Sequence, residues 1–185
     1  MLTVPLPTLS TAQIERVIQQ VAAYIEHQRQ TYRLGAARLS LSQKDSMGSF
    51  FPKPVLDSTR LVVLAGQRVH NPPFYGELTK MGFGLAALPK FAYMAAITFV
   101  DTVVSHEPFS DQLLFHELVH VVQYEKLGIA NFAAKYVNGF LSGGSYEAIP
   151  LEMNAYQLDA RFAAAPAETF SVSDQVQLWI DSGRF

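Results

Sequence analysis

The sequence predicts an α+β fold in which a small twisted sheet packs on helices, with one helix at the centre. Three observations predict it. Apolar residues recur at helical spacing over residues 11–34. Runs rich in β-branched residues follow at 59–65 and 96–105. The segment between Asp111 and Gly128 is apolar on nearly all sides, which is typical of a helix in the middle of a domain.

Length and composition fit one domain that spans residues 1–185. Apolar residues make up 49% of the chain and the net charge is −2, so no basic surface predicts a nucleic-acid partner. The chain has no cysteine, which excludes disulfides and thiolate ligands. A zinc site would therefore use nitrogen and oxygen ligands, as catalytic zinc sites often do.

The first ten residues do not resemble a secretory signal, because they lack a positive start and Pro5 and Pro7 interrupt the apolar run. We expect a cytoplasmic protein, with non-classical export left open. The most membrane-like stretch is residues 82–100, but it carries Pro89 and Lys90 near its middle. A buried helix followed by a strand is expected there, so membrane association is not expected. The sequence leaves the oligomeric state open.

Local signals assign the first half of the chain. Ser10 can cap the helix at 11–34, and Gly35 can end it. Residues 38–43 alternate between apolar and polar, which predicts a half-buried strand. Residues 44–54 are rich in glycine, serine and proline, which predicts a loop.

The run at 59–65 is continuously apolar, which predicts an inner strand, and residues 66–76 are expected to be irregular because of their proline pair. Residues 96–105 are expected to form one strand directly before the central helix. Whether it lies at the edge of the sheet stays open. An edge strand would let an extended peptide add to the sheet through main-chain hydrogen bonds.

Glycine and proline divide the second half of the chain. Gly128 is expected to end the central helix, and helical spacing resumes over residues 130–140. Residues 141–145 interrupt it, and Pro150 suits the first turn of a further helix. A short helix is expected at residues 173–180.

The central helix carries the pattern HExxH. His116 and His120 stand four residues apart, so they share one face of the helix and can bind one metal ion. Glu117 stands beside them, where its carboxylate could reach a metal-bound water. This pattern is typical of zinc hydrolases, in which the glutamate is the general base. The alternative is a core helix whose two histidines are satisfied by hydrogen bonds, because a zinc site also needs a third ligand.

HELVH followed by a helix that carries ExxA resembles the gluzincin clan of zinc metallopeptidases. The longer signature, FHELVHVVQYEKLG with IPLEMNAY, is also similar to small bacterial metallopeptidase-like domains. The resemblance covers roughly residues 111–161. It implies a zincin-like fold and a Zn²⁺ ion held by His116, His120 and Glu152.

Two features of the resemblance leave alternatives. Glu147 is a rival third ligand, but it is expected in a loop, and a ligand on a helix is better positioned. The acid that often follows ExxA in the clan is Tyr156 here. In the clan that acid supports a histidine ligand from behind, so Asp159, one turn further on, or a backbone carbonyl would have to replace it.

The reaction that this site implies is the hydrolysis of peptide bonds, by an endopeptidase that acts on a peptide or protein. Glu117 would take a proton from the attacking water and pass it to the leaving amine. The developing oxyanion needs a hydrogen-bond donor, for which Tyr146 is the first candidate. Tyr156, Tyr136 and His70 are the others.

Two other functions stay open from the sequence. The chain could be a zinc-binding, metallopeptidase-like domain with little or no activity that acts as an interaction module. It could also be a metal-free, membrane-associated structural protein, an interpretation that depends on the apolar stretch at residues 82–100.

Overall fold

The computed structural model describes residues 6–185, so part of the segment used to exclude a secretory signal, residues 1–5, lies outside the described residues. The described chain contains a small four-stranded sheet and seven α-helices, which confirms the mixed class. The strands are β1 (Ala37–Arg38), β2 (Arg60–Val63), β3 (Ala96–Phe99) and β4 (Thr102–Ser105). The helices are α1 (Thr11–Arg33), α2 (Leu41–Met47), α3 (Lys53–Ser58), α4 (Tyr75–Lys80), α5 (Asp111–Gly143), α6 (Pro150–Ala164) and α7 (Val172–Asp181).

The sheet has the strand order β1-β2-β4-β3. β2 and β4 are parallel, whereas β1 pairs with β2 and β3 pairs with β4 in antiparallel fashion. The prediction of an inner strand at residues 59–65 is confirmed, since β2 lies between two others. β3 is the last strand of the sheet, so one side of it has no strand partner within residues 6–185.

The prediction of one strand at residues 96–105 is wrong, because this segment is a hairpin. The chain turns at Val100, whose φ of 63° lies in the left-handed region, and Asp101. The Asp101 carboxylate pairs with Arg29 at 2.9 Å and with Arg33 at 2.6 Å, both on α1. Burial alone would raise the pKa of Asp101, but the hydrogen bond from Arg29 and the positive charges of Arg29 and Arg33 together outweigh it, so the pKa is lowered. The first helix and the hairpin are thereby joined.

The strand predicted at residues 38–43 and the loop predicted at 44–54 are also wrong. β1 ends at Arg38, and α2 and α3 occupy most of the segment. Ser40 accepts a hydrogen bond from Gln43 N, and the Gln43 side chain accepts one from Ser40 N. This reciprocal cap starts a helix where alternation of apolar and polar residues indicated a strand.

No buried helix forms in the apolar stretch at residues 82–100. α4 ends before it, and Gly82 adopts a φ of 100°, which stops the helix. The chain then runs through turns and a short 3₁₀ helix, Phe91–Tyr93, before it enters β3. Among the described residues, no helix is both long enough and apolar enough to cross a membrane.

α5 is the helix that the sequence placed at the centre. The Ser110 side chain accepts a hydrogen bond from Leu113 N, which caps its start. The predicted end at Gly128 is confirmed, because the φ of 71° and ψ of 165° there are not helical. A second helical half follows, and Gly144 ends it with a φ of 75°. Nearly every side chain between Leu114 and Tyr124 is buried.

Two glycines bring α6 close to the second half of α5. A Cβ atom at Gly139 would lie 2.6 Å from Pro150 Cδ, and one at Gly143 would lie 2.6 Å from Ala148 Cβ. Any larger residue would push the two helices apart. This close approach lets the first turn of α6, which carries Glu152, face the first half of α5.

Candidate metal centre

The two histidines of the HExxH pattern lie on one face of α5, and their Nε2 atoms are 3.2 Å apart. Glu152, in the first turn of α6, points its Oε2 atom at both rings. This oxygen lies 3.6 Å from His116 Nε2 and 3.5 Å from His120 Nε2. All three residues are buried, and they form a group that can hold a metal ion. The structure thus brings the three residues of the sequence-predicted ligand set together.

A hydrogen bond at the far side of each ring sets its orientation. His116 Nδ1 lies 2.8 Å from Asp159 Oδ2, and His120 Nδ1 lies 2.8 Å from Gln123 Oε1. Both partners are acceptors, so each ring places a proton on Nδ1. In the neutral rings, both Nε2 lone pairs then point toward Glu152 Oε2.

Three electron-rich atoms that converge in a buried place need a cation between them. Glu152 Oε2 has no hydrogen-bond partner among the described residues, and it is too far from either Nε2 for a good hydrogen bond. Ligands at about 2.1 Å from a tetrahedral ion lie about 3.4 Å from one another. The three observed separations, 3.2, 3.5 and 3.6 Å, bracket that value. The residues present therefore fit a metal ion.

The electrostatics of the group point the same way. Burial would lower the pKa of His116, but the hydrogen bond to Asp159 and the carboxylates of Glu152 and Glu117 raise it to about 10. Burial would likewise lower the pKa of His120, but the carboxylates of Glu152 and Glu117 together raise it. Conversely, the two histidines lower the pKa of Glu152 although burial would raise it. The site is built for positive charge, and a metal ion would displace protons from it.

Gln123 is a residue of the site that sequence reasoning missed. Its side chain is fully buried, and its Nε2 donates to Leu151 O and to Asn154 Oδ1, each at 3.0 Å. These two acceptors turn the amide so that Oε1 faces His120. The signal was present in the sequence, because Gln123 stands three residues after His120 on the same helix face.

Asp159 supplies the acid that supports a histidine ligand from behind, because Tyr156 stands where the clan often has that acid. Replacing it with asparagine is expected to lower the metal affinity by about 10- to 100-fold, because His116 loses the charged acceptor that fixes its ring. Competition for the metal with a chromogenic chelator measures this change. Asp45→Asn is the control, since Asp45 is exposed on α2. An affinity equal to that of the wild-type protein would mean that Asp159 does not support the ligand.

Glu117 is buried beside the group. Its Oε2 atom accepts a hydrogen bond of 2.6 Å from Thr98 Oγ1, on the edge strand β3. Thr98 was not among the sequence-predicted site residues, and nothing local in the sequence could place it there. No donor within residues 6–185 reaches the second oxygen of Glu117, so this oxygen is the one available to a water molecule.

A groove and a cavity both border the group formed by His116, His120 and Glu152. An open groove of about 310 Å³ contains Met94, Ala95 and Ala96 on one side and His116 and Tyr156 on the other. A cavity of about 120 Å³ lies on the inner side, between α1, the loop before β3 and the second half of α5. Its lining is almost entirely apolar, except where it meets the site. The lining residues near the site are Thr98, Glu117, His120, Tyr124, Tyr136, Tyr146 and Glu152.

The structure separates the candidate hydrogen-bond donors. Tyr146 lines both the groove and the cavity, and burial together with Glu152 raises its pKa well above the ordinary value, so its hydroxyl keeps its proton. Tyr156 lies in the groove with its ring 4.6 Å from the His116 ring, and Tyr136 lies in the cavity. His70 is exposed and lines neither space.

Glu147, the rival ligand, is exposed and is not part of the group. His106 has a structural place instead, since its ring accepts from Val69 N at 2.9 Å and contacts Met94 O at 2.6 Å. It holds the segment that leads into β3.

Comparison of the chain with family models, with curated proteins and with solved structures finds no match.

Proposed function

We propose that this chain is a zinc-dependent metallopeptidase with a zincin-like fold. The observation that carries the proposal is the convergence of His116 Nε2, His120 Nε2 and Glu152 Oε2 in a buried place, where no described residue donates a hydrogen bond to the carboxylate oxygen. A buried carboxylate that faces two imidazoles, each held by its own acceptor, is typical of a metal site.

The ligand set favours zinc at a catalytic site. Two imidazoles and one carboxylate, with no cysteine in the chain, match the three protein ligands of zinc peptidases rather than the sulfur-rich closed cages of structural zinc sites. Such an ion, when bound, polarises a carbonyl group and makes water a better nucleophile near neutral pH.

The residues around the ligands support hydrolysis. Glu117 is next to the group but does not belong to it, so its carboxylate is available as a base that takes a proton from water and delivers it to the leaving amine. Tyr146 borders the same space with a protonated hydroxyl, and it would donate a hydrogen bond to the developing oxyanion. These are the parts that an interaction module without activity would not need.

The surroundings of the site favour a peptide as the substrate. The groove passes beside Ala95 and Ala96, at the edge strand, where an extended peptide can add by main-chain hydrogen bonds. The apolar cavity of about 120 Å³ is close in size to an engineered cavity of about 150 Å³ that binds benzene. It has room for one large apolar side chain, so we expect cleavage beside such a residue.

Metal content and peptide cleavage test this proposal on the purified protein. Elemental analysis is expected to find about one zinc per chain, as for a site with one set of three ligands. We expect the protein to cleave members of a library of quenched fluorescent peptides with varied apolar residues. The chelator 1,10-phenanthroline is expected to stop this cleavage, and added zinc is expected to restore it. Protein with zinc but without cleavage of any peptide would favour the interaction module. Protein that binds no metal would remove the proposal.

A further inference from the structure

Thr98 is a buried polar residue on β3, and its hydroxyl group has two acceptors within reach, both on Glu117. Oγ1 lies 2.6 Å from Glu117 Oε2 and 3.3 Å from Glu117 O. The hydroxyl has one proton and can donate one hydrogen bond. The carboxylate oxygen accepts it, because this acceptor is charged and closer than the carbonyl oxygen. Thr98 is only 7% exposed and Glu117 only 4%, so little water competes for this bond.

The hydrogen bond from Thr98 makes the two carboxylate oxygens of Glu117 unequal. Oε2 is held by Thr98, and the other oxygen stays available to the spaces that Glu117 lines beside His116 and His120. Without this bond the Glu117 carboxylate would be free to turn away from those spaces. A charged hydrogen bond of this length fixes the plane of the group.

The main chain of Thr98 has a second connection to the site. In the β3–β4 ladder, His106 N donates to Ala95 O at 2.8 Å, and the register continues with Ala96 opposite Ser105. Hydrogen-bonded and non-hydrogen-bonded pairs alternate in an antiparallel ladder. The main-chain groups of Ala96 and Thr98 therefore point away from β4, toward the free side of β3. The main chain of Thr98 thus forms part of the strand edge where a peptide would add, and its side chain contacts the Glu117 carboxylate that would act on that peptide.

We propose that Thr98 is a positioning residue, which aims the Glu117 carboxylate and joins it to the substrate-binding edge of the sheet. The inference rests on the proposed function, because Glu117 is the base only in a hydrolase. Thr98 itself does not touch the reacting atoms. Its contribution is to keep one oxygen of Glu117 in place for the proton transfer.

Two substitutions at Thr98 separate the hydroxyl from the shape of the side chain. Thr98→Val removes the hydroxyl at nearly constant shape, and Thr98→Ser keeps it. The loss of a hydrogen bond to a charged group is expected to lower kcat by about 10- to 100-fold in the valine variant, with KM within about twofold. The serine variant is expected to stay within about threefold of the wild-type protein. Equal kcat in the valine variant and the wild-type protein, or equal losses in both variants, would overturn the inference.

A binding measurement on cobalt-loaded protein gives a readout other than activity. Acetohydroxamic acid chelates the ion and presents a proton to the neighbouring base, and the visible spectrum of Co²⁺ follows its binding. Thr98→Val is expected to weaken this binding by about tenfold, as loss of one charged hydrogen bond would. Thr59→Val is the matched control, since Thr59 is also fully buried and donates to Val55 O at 2.8 Å, away from the site. A control variant that weakens binding as much would point to general destabilisation and contradict the inference.

Crystal structures of the wild-type protein and the valine variant test the inference without metal or substrate. The Glu117 carboxylate is expected to keep its contact with Thr98 in the former and to turn or take several positions in the latter. An unchanged carboxylate in the valine variant would overturn the positioning by Thr98. A wild-type protein that cleaves no peptide would instead remove the proposed function, so the two failures are distinguishable.

Discussion

Replacing Glu152 with glutamine is expected to lower the affinity for the metal by more than 100-fold. Even residues that only support a metal ligand change affinity by about 10- to 100-fold, and Glu152 is the sole acid among the three converging groups. The substitution removes the negative charge and places an amide beside two imidazoles. Titration of metal-free protein with zinc in the presence of a competing chelator measures the change.

Thermal unfolding gives a second readout of the same change. A ligand that binds only the folded protein stabilises the fold by about 4 kcal/mol when its free concentration is about 1,000 times the dissociation constant. Zinc is therefore expected to raise the melting temperature of the wild-type protein and to leave that of Glu152→Gln nearly unchanged. Glu147→Gln is the matched control, because Glu147 is an exposed acid five positions earlier. If Glu147→Gln lost zinc and Glu152→Gln kept it, the ligand set would have to be redrawn.

The parts of the fold that local chemistry determines could be predicted from the sequence. α1 has helical spacing and a reciprocal cap between Ser10 and Gln13, so its start and length follow from neighbouring residues. The break at Gly128 follows likewise from the one residue type that adopts its backbone angles without strain.

The segments predicted wrongly have either two competing local signals or no local signal at the decisive point. Residues 38–43 alternate as a strand would, but Ser40 and Gln43 also form a capping box, and the helix prevails. The hairpin at 96–105 contains neither glycine nor proline at its turn. Val100 adopts a positive φ there, and Asp101 is held by Arg29 and Arg33 from a distant helix. Only the tertiary structure supplies those two partners.

The candidate site likewise has features that follow from local sequence and features that depend on the fold. The spacing of His116 and His120 on one helix face is a local property, and so is the place of Gln123 one turn later. The contacts of Glu152 and Asp159 with the histidines depend on how α6 packs against α5. Thr98 is on a strand that reaches Glu117 only through the fold of the sheet. No periodicity in the sequence encodes that contact.

Glu117→Gln is expected to abolish peptide hydrolysis while it leaves the metal bound. General acid–base catalysis contributes about 10²- to 10⁴-fold, and the amide cannot take up the proton. Metal content is expected to stay at that of the wild-type protein, since Glu117 is not part of the group formed by His116, His120 and Glu152. The fold is expected to persist, because the glutamine oxygen can still accept the hydrogen bond from Thr98.

The division of the loss between kcat and KM shows whether Glu117 acts as the base. A group that works only in the transition state lowers kcat and kcat/KM equally, so KM is expected to stay nearly constant in Glu117→Gln. A rise in KM at constant kcat would instead make Glu117 a substrate-binding residue. Glu125→Gln is the matched control, because Glu125 is an exposed glutamate two turns further along α5. If Glu117→Gln and Glu125→Gln cleaved peptides equally well with metal bound, proton transfer would have to be assigned to another group at the site.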